Sequence, residues 1–251
     1  MGVPTLGCNC HVCTSSDPRD QRLRPSVAIE WHREGAESAP HRVLIDTGPD
    51  FRHQALRFGV QSVDAVFYTH AHADHIMGLD DLRPLSFSHG ERKMPLYANT
   101  QTAEVLERVF AYTFSADATY PTRARVALHR LSGPVDVGGV TFTPVPLMHG
   151  RLEVTGYRFG NAAYLTDMNQ LPDASMPLLE GVDVVVLDAL RPQPHPTHAT
   201  IPEAIDWAQR IGARETWFTH MSHEVMHAEM DPQLPAGIRL AYDGLRVPVE
   251  L

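Results

Sequence analysis

YTHAHADHIMGLDDL, residues 68 to 82, sets His70, His72, Asp74 and His75 within six positions, directly behind the apolar run VDAVF at 63–67. The near-continuous apolar character of 63–68 predicts a buried strand, so the cluster begins where that strand ends. Neutral imidazole and ionised carboxylate are the usual ligands of borderline divalent metals. Alternate side chains of an extended or turning segment can point the same way, so His70 and His72 can grip one ion. Asp74 and His75 are carried round a turn and can face a neighbouring one. Two ions about 3.5–4 Å apart form the arrangement that hydrolyses phosphate esters and related bonds. With 15 histidines in the chain a chance His-x-His is unsurprising, but the complete string behind an apolar strand is not.

Outward from this stretch the chain alternates strand and helix patterns, an α/β order. Residues 26–31 and 42–45 read as paired strands across a polar loop near Gly35, and DTGPD breaks the second. Residues 50–58 suit a short helix ended by Gly59. MPLYA is a strand. Residues 100–112 are helical, with Thr100 or Thr102 as cap and Val105, Leu106, Val109 and Phe110 on one face. Residues 140–145, 154–159 and 162–165 follow as strands, and GVDVVVLDAL is the strongest of all. Residues 201–211 read as an amphipathic helix with Pro202 in its first turn and Gly212 past its end, followed by a strand at 215–218. Polar chemistry recurs at strand ends: His70, His149, Asp167, Asp188 and His220 each follow an apolar run. Such ends, on a rigid sheet, are where α/β proteins assemble sites. Asp188 reads more readily as a hydrogen-bonding carboxylate than as a ligand.

A chain of 251 residues with 43% hydrophobic content fits one large domain over 1–251. No apolar run reaches membrane-spanning length and no signal peptide opens the sequence, so a soluble, cytoplasmic protein is expected. A net charge of −9, from 21 basic against 30 acidic residues, disfavours loose electrostatic binding to nucleic acid. Cys8, Cys10 and Cys13 crowd into GCNCHVC, a poor disulfide framework but three good thiolates for a tetrahedral zinc. A distant histidine would supply the fourth ligand.

THAHADHIMGL resembles the signature of the metallo-β-lactamase superfamily. LIDTG at 44–48 resembles that family's early Asp-containing turn, and His149, Asp167 and His220 come in its order. The resemblance implies an αββα sandwich of two mixed sheets flanked by helices. It implies His70, His72 and His149 on one metal, Asp74, His75 and His220 on a second, Asp167 bridging both, and Asp46 bracing the histidine loop. The metals implied are zinc or manganese, with iron also accommodated. The N-terminal GVPTLGCNCHVCTSSDPRDQRLRPS resembles PhnP-type phosphodiesterases, which act on cyclic phosphates of ribose and hold a structural zinc on such a cysteine cluster. That likeness implies His223 as fourth zinc ligand, ahead of His227 and His11; if the chain turns into a helix after His220, His223 can point back towards the N-terminal loop. It also implies His198 as a catalytic histidine, with His195 its nearest competitor.

These parts imply a metal-dependent hydrolase in which a water between two ions attacks phosphorus, Asp74 and Asp167 fix the nucleophile, and His198 assists the leaving oxygen. The substrate implied is a small phosphodiester. The rivals are a β-lactamase or lactonase acting on a carbonyl, an RNA-processing nuclease, and a non-enzymatic metal-binding domain. A homodimer is implied by resemblance alone. Relatives of this type open with a strand and a Gly-rich turn before GVP, so the expectation is either that this strand is missing or that the start lies upstream. The pocket loops, 82–94 and 112–125, carry no readable substrate code.

Overall fold

Val27–Trp31 (β1) and His41–Ile45 (β2) pair antiparallel, with Val27 opposite Ile45. The computed structural model describes residues 2–32, 40–116 and 122–251, so the expected loop around Gly35 lies outside the described residues. Phe51–Phe58 (α1) ends at Gly59, whose φ of 70° closes the helix in the left-handed cap. Asp50 does not cap it with its side chain, because that carboxylate accepts from the Arg24 backbone N–H at 2.9 Å and from its guanidinium at 3.1 Å. Ala65–Phe67 (β3) is fully buried and leads into Ala73–Ile76 (α2), Arg83–Ser86 (α3) and Met94–Ala98 (β4).

Thr100–Val109 (α4) is capped by Asn99, whose side chain accepts from Thr102 N–H at 2.8 Å. Neither Thr100 nor Thr102 is therefore the cap. The helix breaks at Phe110 (φ −107°, ψ 38°), and Ala111–Phe114 (α5) resumes. Thr102, Ala103, Leu106 and Phe110 form its buried stripe, whereas Val109 is exposed. A stripe drawn through hydrophobic residues alone is rotated, because it leaves out Thr102 and Ala103. Val126–Arg130 (β5) and Val135–Val137 (β6) follow. The order β1-β2-β3-β4-β5 is parallel after the first pair, a mixed sheet. These elements belong to a compact unit, Arg24–Gly139, with its core on Leu44, Val66, Leu96 and Leu106.

The other unit takes the residues up to Leu23 together with Val140–Leu251. Val140–His149 (β7) outruns the expected 140–145 because Pro144 and Pro146 do not end it. Alternate residues turn their N–H groups to the same side, so both missing donors fall on one edge and the ladder to Leu152–Phe159 (β8) continues. Ala162–Leu165 (β9), Val184–Asp188 (β10), Ile201–Ile211 (α6), Glu215–Thr219 (β11), His227–Met230 (α7) and Ile238–Leu240 (β12) complete the unit. The order β12-β11-β10-β9-β8-β7 is antiparallel at β7, β8 and β9 and parallel from β9 to β12. Thr200 and Glu203 form a reciprocal capping box at the start of α6, and Gly212 (φ 74°) closes it. Among the described residues no helix is long and apolar enough to cross a membrane.

Candidate functional site

β2 and β3 run parallel, so the residues after each emerge at one edge of their sheet. After β2 comes Asp46, fully buried, with φ 64°. Its carboxylate accepts from Thr69 N–H (2.8 Å), Thr69 O–H (2.7 Å) and His75 Nδ1–H (2.7 Å). Burial pushes the carboxyl up, and His75 and Thr69 oppose that by stabilising its ionised form. Thr69 gives its single hydroxyl hydrogen to Asp46, so at 3.0 Å it can only accept from His70 Nδ1–H. Asp46 therefore fixes the tautomer of His75 directly and of His70 through Thr69, leaving each Nε2 as the basic nitrogen. The His70 ring centroid lies 4.5 Å from that of His72 and 4.2 Å from that of His75, and Asp74 Oδ2 is 3.9 Å from His75 Nε2.

Two glycines let the loops approach this closely. A Cβ on Gly48 would overlap the Asp74 carbonyl oxygen, and one on Gly78 would overlap the Gly48 carbonyl and stand 2.9 Å from Phe51 Cβ. Thr47 N–H donates to His75 O and Gly78 N–H to Thr47 O, both at 2.9 Å, so the DTG turn and the histidine loop are laced by backbone bonds.

In the other unit β7, β9, β10 and β11 all point the same way, so His149, Asp167, Asp188 and His220 share one sheet edge. Asp167 (φ 54°) and His220 (φ 60°) lie in the left-handed region, conformations that side-chain-bearing residues adopt at a cost of about 1–3 kcal/mol. His149 Nδ1–H donates to Thr197 O at 2.8 Å, which leaves Nε2 basic. Asp167 Oδ1 stands 3.3 Å from His220 Nε2. Two donors bound at about 2.0–2.2 Å to a tetrahedral ion are separated by about 3.3–3.5 Å, so this pair fits a shared divalent metal.

His198, 8% exposed, is held by Asp188: its Nδ1–H donates to Asp188 Oδ2 at 3.0 Å, and its Nε2 is 4.0 Å from Asp167 Oδ2. The ring stacks on His220 at 4.7 Å and meets His149 edge-on at 4.6 Å. Asp188 Oδ2 also accepts from the N–H groups of Met168 and Ala199, at 3.1 and 3.3 Å. His195 is half-buried, 5.1 Å ring to ring from His198, with Nδ1 accepting from Thr197 N–H at 3.4 Å. Burial first, then His198 and Arg191, hold its pKa below the usual imidazole range.

The cysteine loop belongs to the same unit. His223 Nδ1 lies 3.2, 3.5 and 3.6 Å from the sulfurs of Cys8, Cys10 and Cys13. Bonds of about 2.3 Å to sulfur and 2.0–2.1 Å to nitrogen place S and N about 3.5 Å apart across a tetrahedral angle, so the donor set fits zinc. Cys13 N–H donates to Cys10 Sγ and lowers that thiol to about 6, which favours the thiolate a metal needs. His223 sits on a turn rather than on a helix, since α7 starts only at His227. His227 is buried with its backbone N–H on Asp20, and His11 is exposed.

Several supporting residues were not singled out by the sequence reading. Thr69 sits inside the motif itself, Gly48 and Gly78 had a legible signal as glycines flanking it, and Thr197 and Asn169 act through atoms that no pattern marks. Asn169 accepts from Gly150 N–H (2.8 Å) and donates to Pro196 O (3.2 Å), bracing the turn after His149.

Residues 41–221 match the family model described as Beta-lactamase superfamily domain. A crystal structure described as a new diphosphatase from the PhnP family is 52% identical, with a TM-score of 0.90, covering 100% of this chain and 94% of that one. Among curated proteins, an octanoyltransferase of Porphyromonas gingivalis is 37% identical across 99% of this chain and 49% of its own length. A ribonuclease Z of Bradyrhizobium diazoefficiens is 27% identical across 60% of this chain and 48% of its own length. The chain thus spans about half the length of these two curated relatives. Two mixed sheets with outlying helices, His/Asp sets at strand ends and these matches lead to one assignment: the chain belongs to the β-lactamase superfamily, with the metallo-β-lactamase fold, and within it to the PhnP family.

Proposed function

We propose that this protein is a metal-dependent hydrolase of the phosphoric diester class, acting on a small molecule whose phosphorus carries two bridging oxygens. His70, His72 and His149 serve one divalent ion, Asp74, His75 and His220 a second, and Asp167 both; Cys8, Cys10, Cys13 and His223 hold a structural zinc. Zinc or manganese suits the first two positions, and iron is compatible with the same donors. The observation that carries the reading is the buried His198–Asp188 pair beside Asp167. It is an oriented imidazole next to a candidate ligand yet bonded to a carboxylate of its own, as a proton donor to a leaving oxygen requires.

Two divalent ions, when bound, polarise the phosphoryl oxygens and acidify the attacking water. The chain supplies the rest. Asp74 and Asp167 orient the water by accepting its hydrogen bonds. Asp188 fixes His198 with Nδ1–H turned inward and stabilises the charged ring, so Nε2–H faces the substrate and delivers the proton. Proton transfer of this kind is a common role of histidine in hydrolases.

The 52% identity to a diphosphatase favours a second form of the same reading, in which the bridging oxygen joins two phosphoryl groups. The test is hydrolysis of bis(p-nitrophenyl) phosphate, a ribose cyclic phosphate and a nucleoside diphosphate, alongside a β-lactam and a lactone. Cleavage of the first or second supports the diester form, and cleavage of the third alone supports the diphosphate form. Turnover of the lactam or lactone with no phosphorus substrate cleaved sinks the proposal.

A further inference from the structure

The loop that bears His195 and His198 reads RPQPHPTHAT over 191–200. Pro192, Pro194 and Pro196 offer no N–H, so between its two ends this segment has few backbone donors and depends on side chains to hold it. Its neck is closed by Leu190 N–H to Ala199 O and Ile201 N–H to Arg191 O, both 2.9 Å. Beyond the neck the Arg191 guanidinium grips the loop from within: Nε donates to Gln193 O at 3.3 Å and Nη2 to Pro194 O at 3.0 Å. The third arm, Nη1, reaches Glu224 Oε1 at 2.9 Å. Glu224 is the residue after His223, whose ring faces the three cysteine sulfurs. An ion pair at this exposure is worth little as stability. Its geometry is specific all the same, because one planar fork joins two loop carbonyls to the neighbour of a candidate zinc ligand.

We propose that Arg191 and Glu224 are positioning residues that couple the thiolate–histidine cluster to the loop carrying His198. Order at the cluster places His223, hence the Glu224 carboxylate, hence the Arg191 fork and the loop carbonyls. Disturbance of the cluster reaches the His198 ring along this path without unfolding the domain. The inference rests on the reading of His198 as the proton donor, and its test has one arm that does not depend on activity.

The variants are Arg191→Gln, Arg191→Lys, Glu224→Gln, the double variant Arg191→Gln/Glu224→Gln, and Cys8→Ser in both the wild-type and Arg191→Gln backgrounds. With bis(p-nitrophenyl) phosphate, Arg191→Gln lowers kcat about tenfold with KM within about twofold and metal content per chain unchanged, since small misplacements of a reacting group cost rate rather than affinity. Glu224→Gln moves kcat the same way, and the double variant is no worse than Arg191→Gln alone, as expected of groups acting as a unit. Arg191→Lys, which keeps the charge but loses the fork, falls between. In the second arm, Cys8→Ser shifts the His198 imidazole resonances in the wild-type background and leaves them in place once Arg191 is Gln. Equal shifts in both backgrounds, or rate losses that multiply in the double variant, overturn the coupling. A wild-type protein that cleaves no diester overturns the functional reading instead, and the resonance arm still decides the coupling.

Discussion

Replacing Asp46 by Asn tests how the fold prepares its candidate ligands. Asn tolerates the left-handed backbone at φ 64° as well as Asp does, so the change is confined to the side chain. Three donors converge on the Asp46 carboxylate, at 2.8, 2.7 and 2.7 Å, and two of them, Thr69 O–H and His75 Nδ1–H, share Oδ2. In Asn one terminal atom becomes NH2. Placed at Oδ2 it meets two donors, and placed at Oδ1 it meets the Thr69 N–H. The metal-free protein escapes the clash by moving the His75 proton to Nε2 and rotating the Thr69 hydroxyl, which turns the two donors at Oδ2 into acceptors. Its stability then changes by no more than about 1 kcal/mol, the net value of an ordinary hydrogen bond. That tautomer places a proton on the nitrogen needed for the metal. Restoring it leaves a buried donor unsatisfied at about 1–3 kcal/mol, so affinity for the ion served by His75 falls about 10–100-fold. The assay pairs urea denaturation of the metal-free variant with chelator-competition titration of zinc. Wild-type zinc affinity in Asp46→Asn, with metal-free stability preserved, refutes the tautomer argument.

Three further outcomes follow from the same geometry. Gly78→Ala forces a Cβ into the Gly48 carbonyl and against Phe51; it lowers stability by about 1–3 kcal/mol and weakens metal binding, read by thermal denaturation with and without zinc. Thr200→Ala removes the capping box of α6 at a cost of about 0.5–2 kcal/mol in urea denaturation. Cys13→Ser takes one thiolate from the cluster, so metal analysis shows one equivalent fewer per chain. A loss of about 2 kcal/mol then lowers Tm by about 4–8 °C.

Much of this architecture is legible in the residues. The α6 helix begins and ends where Pro202 and Gly212 place it, because a first-turn proline and a left-handed glycine mark their positions independently of packing. The strand-end residues emerged from apolar runs that end in a polar side chain, a pattern that survives errors of a few residues in the strand itself. The extent of β7 was not legible, since whether Pro144 and Pro146 break a ladder depends on which edge their missing N–H groups face. The cap of α4 and its buried face are not legible in hydrophobic spacing for a related reason: Asn99 and Thr102 act through geometry. At the site, His70, His72, Asp74 and His75 are contiguous and declare themselves. Of the residues that orient them and their counterparts, Thr69 and Thr197 act through a hydroxyl and a carbonyl and leave no compositional trace, whereas Gly48 and Gly78 stand out as glycines whose role, an absent Cβ, only the packing reveals.

In the proposed function the chain holds two catalytic ions and one thiolate-bound zinc, and turns over a phosphoric diester through His198. Metal content per chain, measured together with cleavage of bis(p-nitrophenyl) phosphate by wild type and His198→Ala, tests it most directly. About three metals per chain are expected in both proteins, with kcat lower by about 10²–10⁴ in the variant. Two metals or fewer in wild type, or a variant that cleaves the diester as fast as wild type, contradicts it.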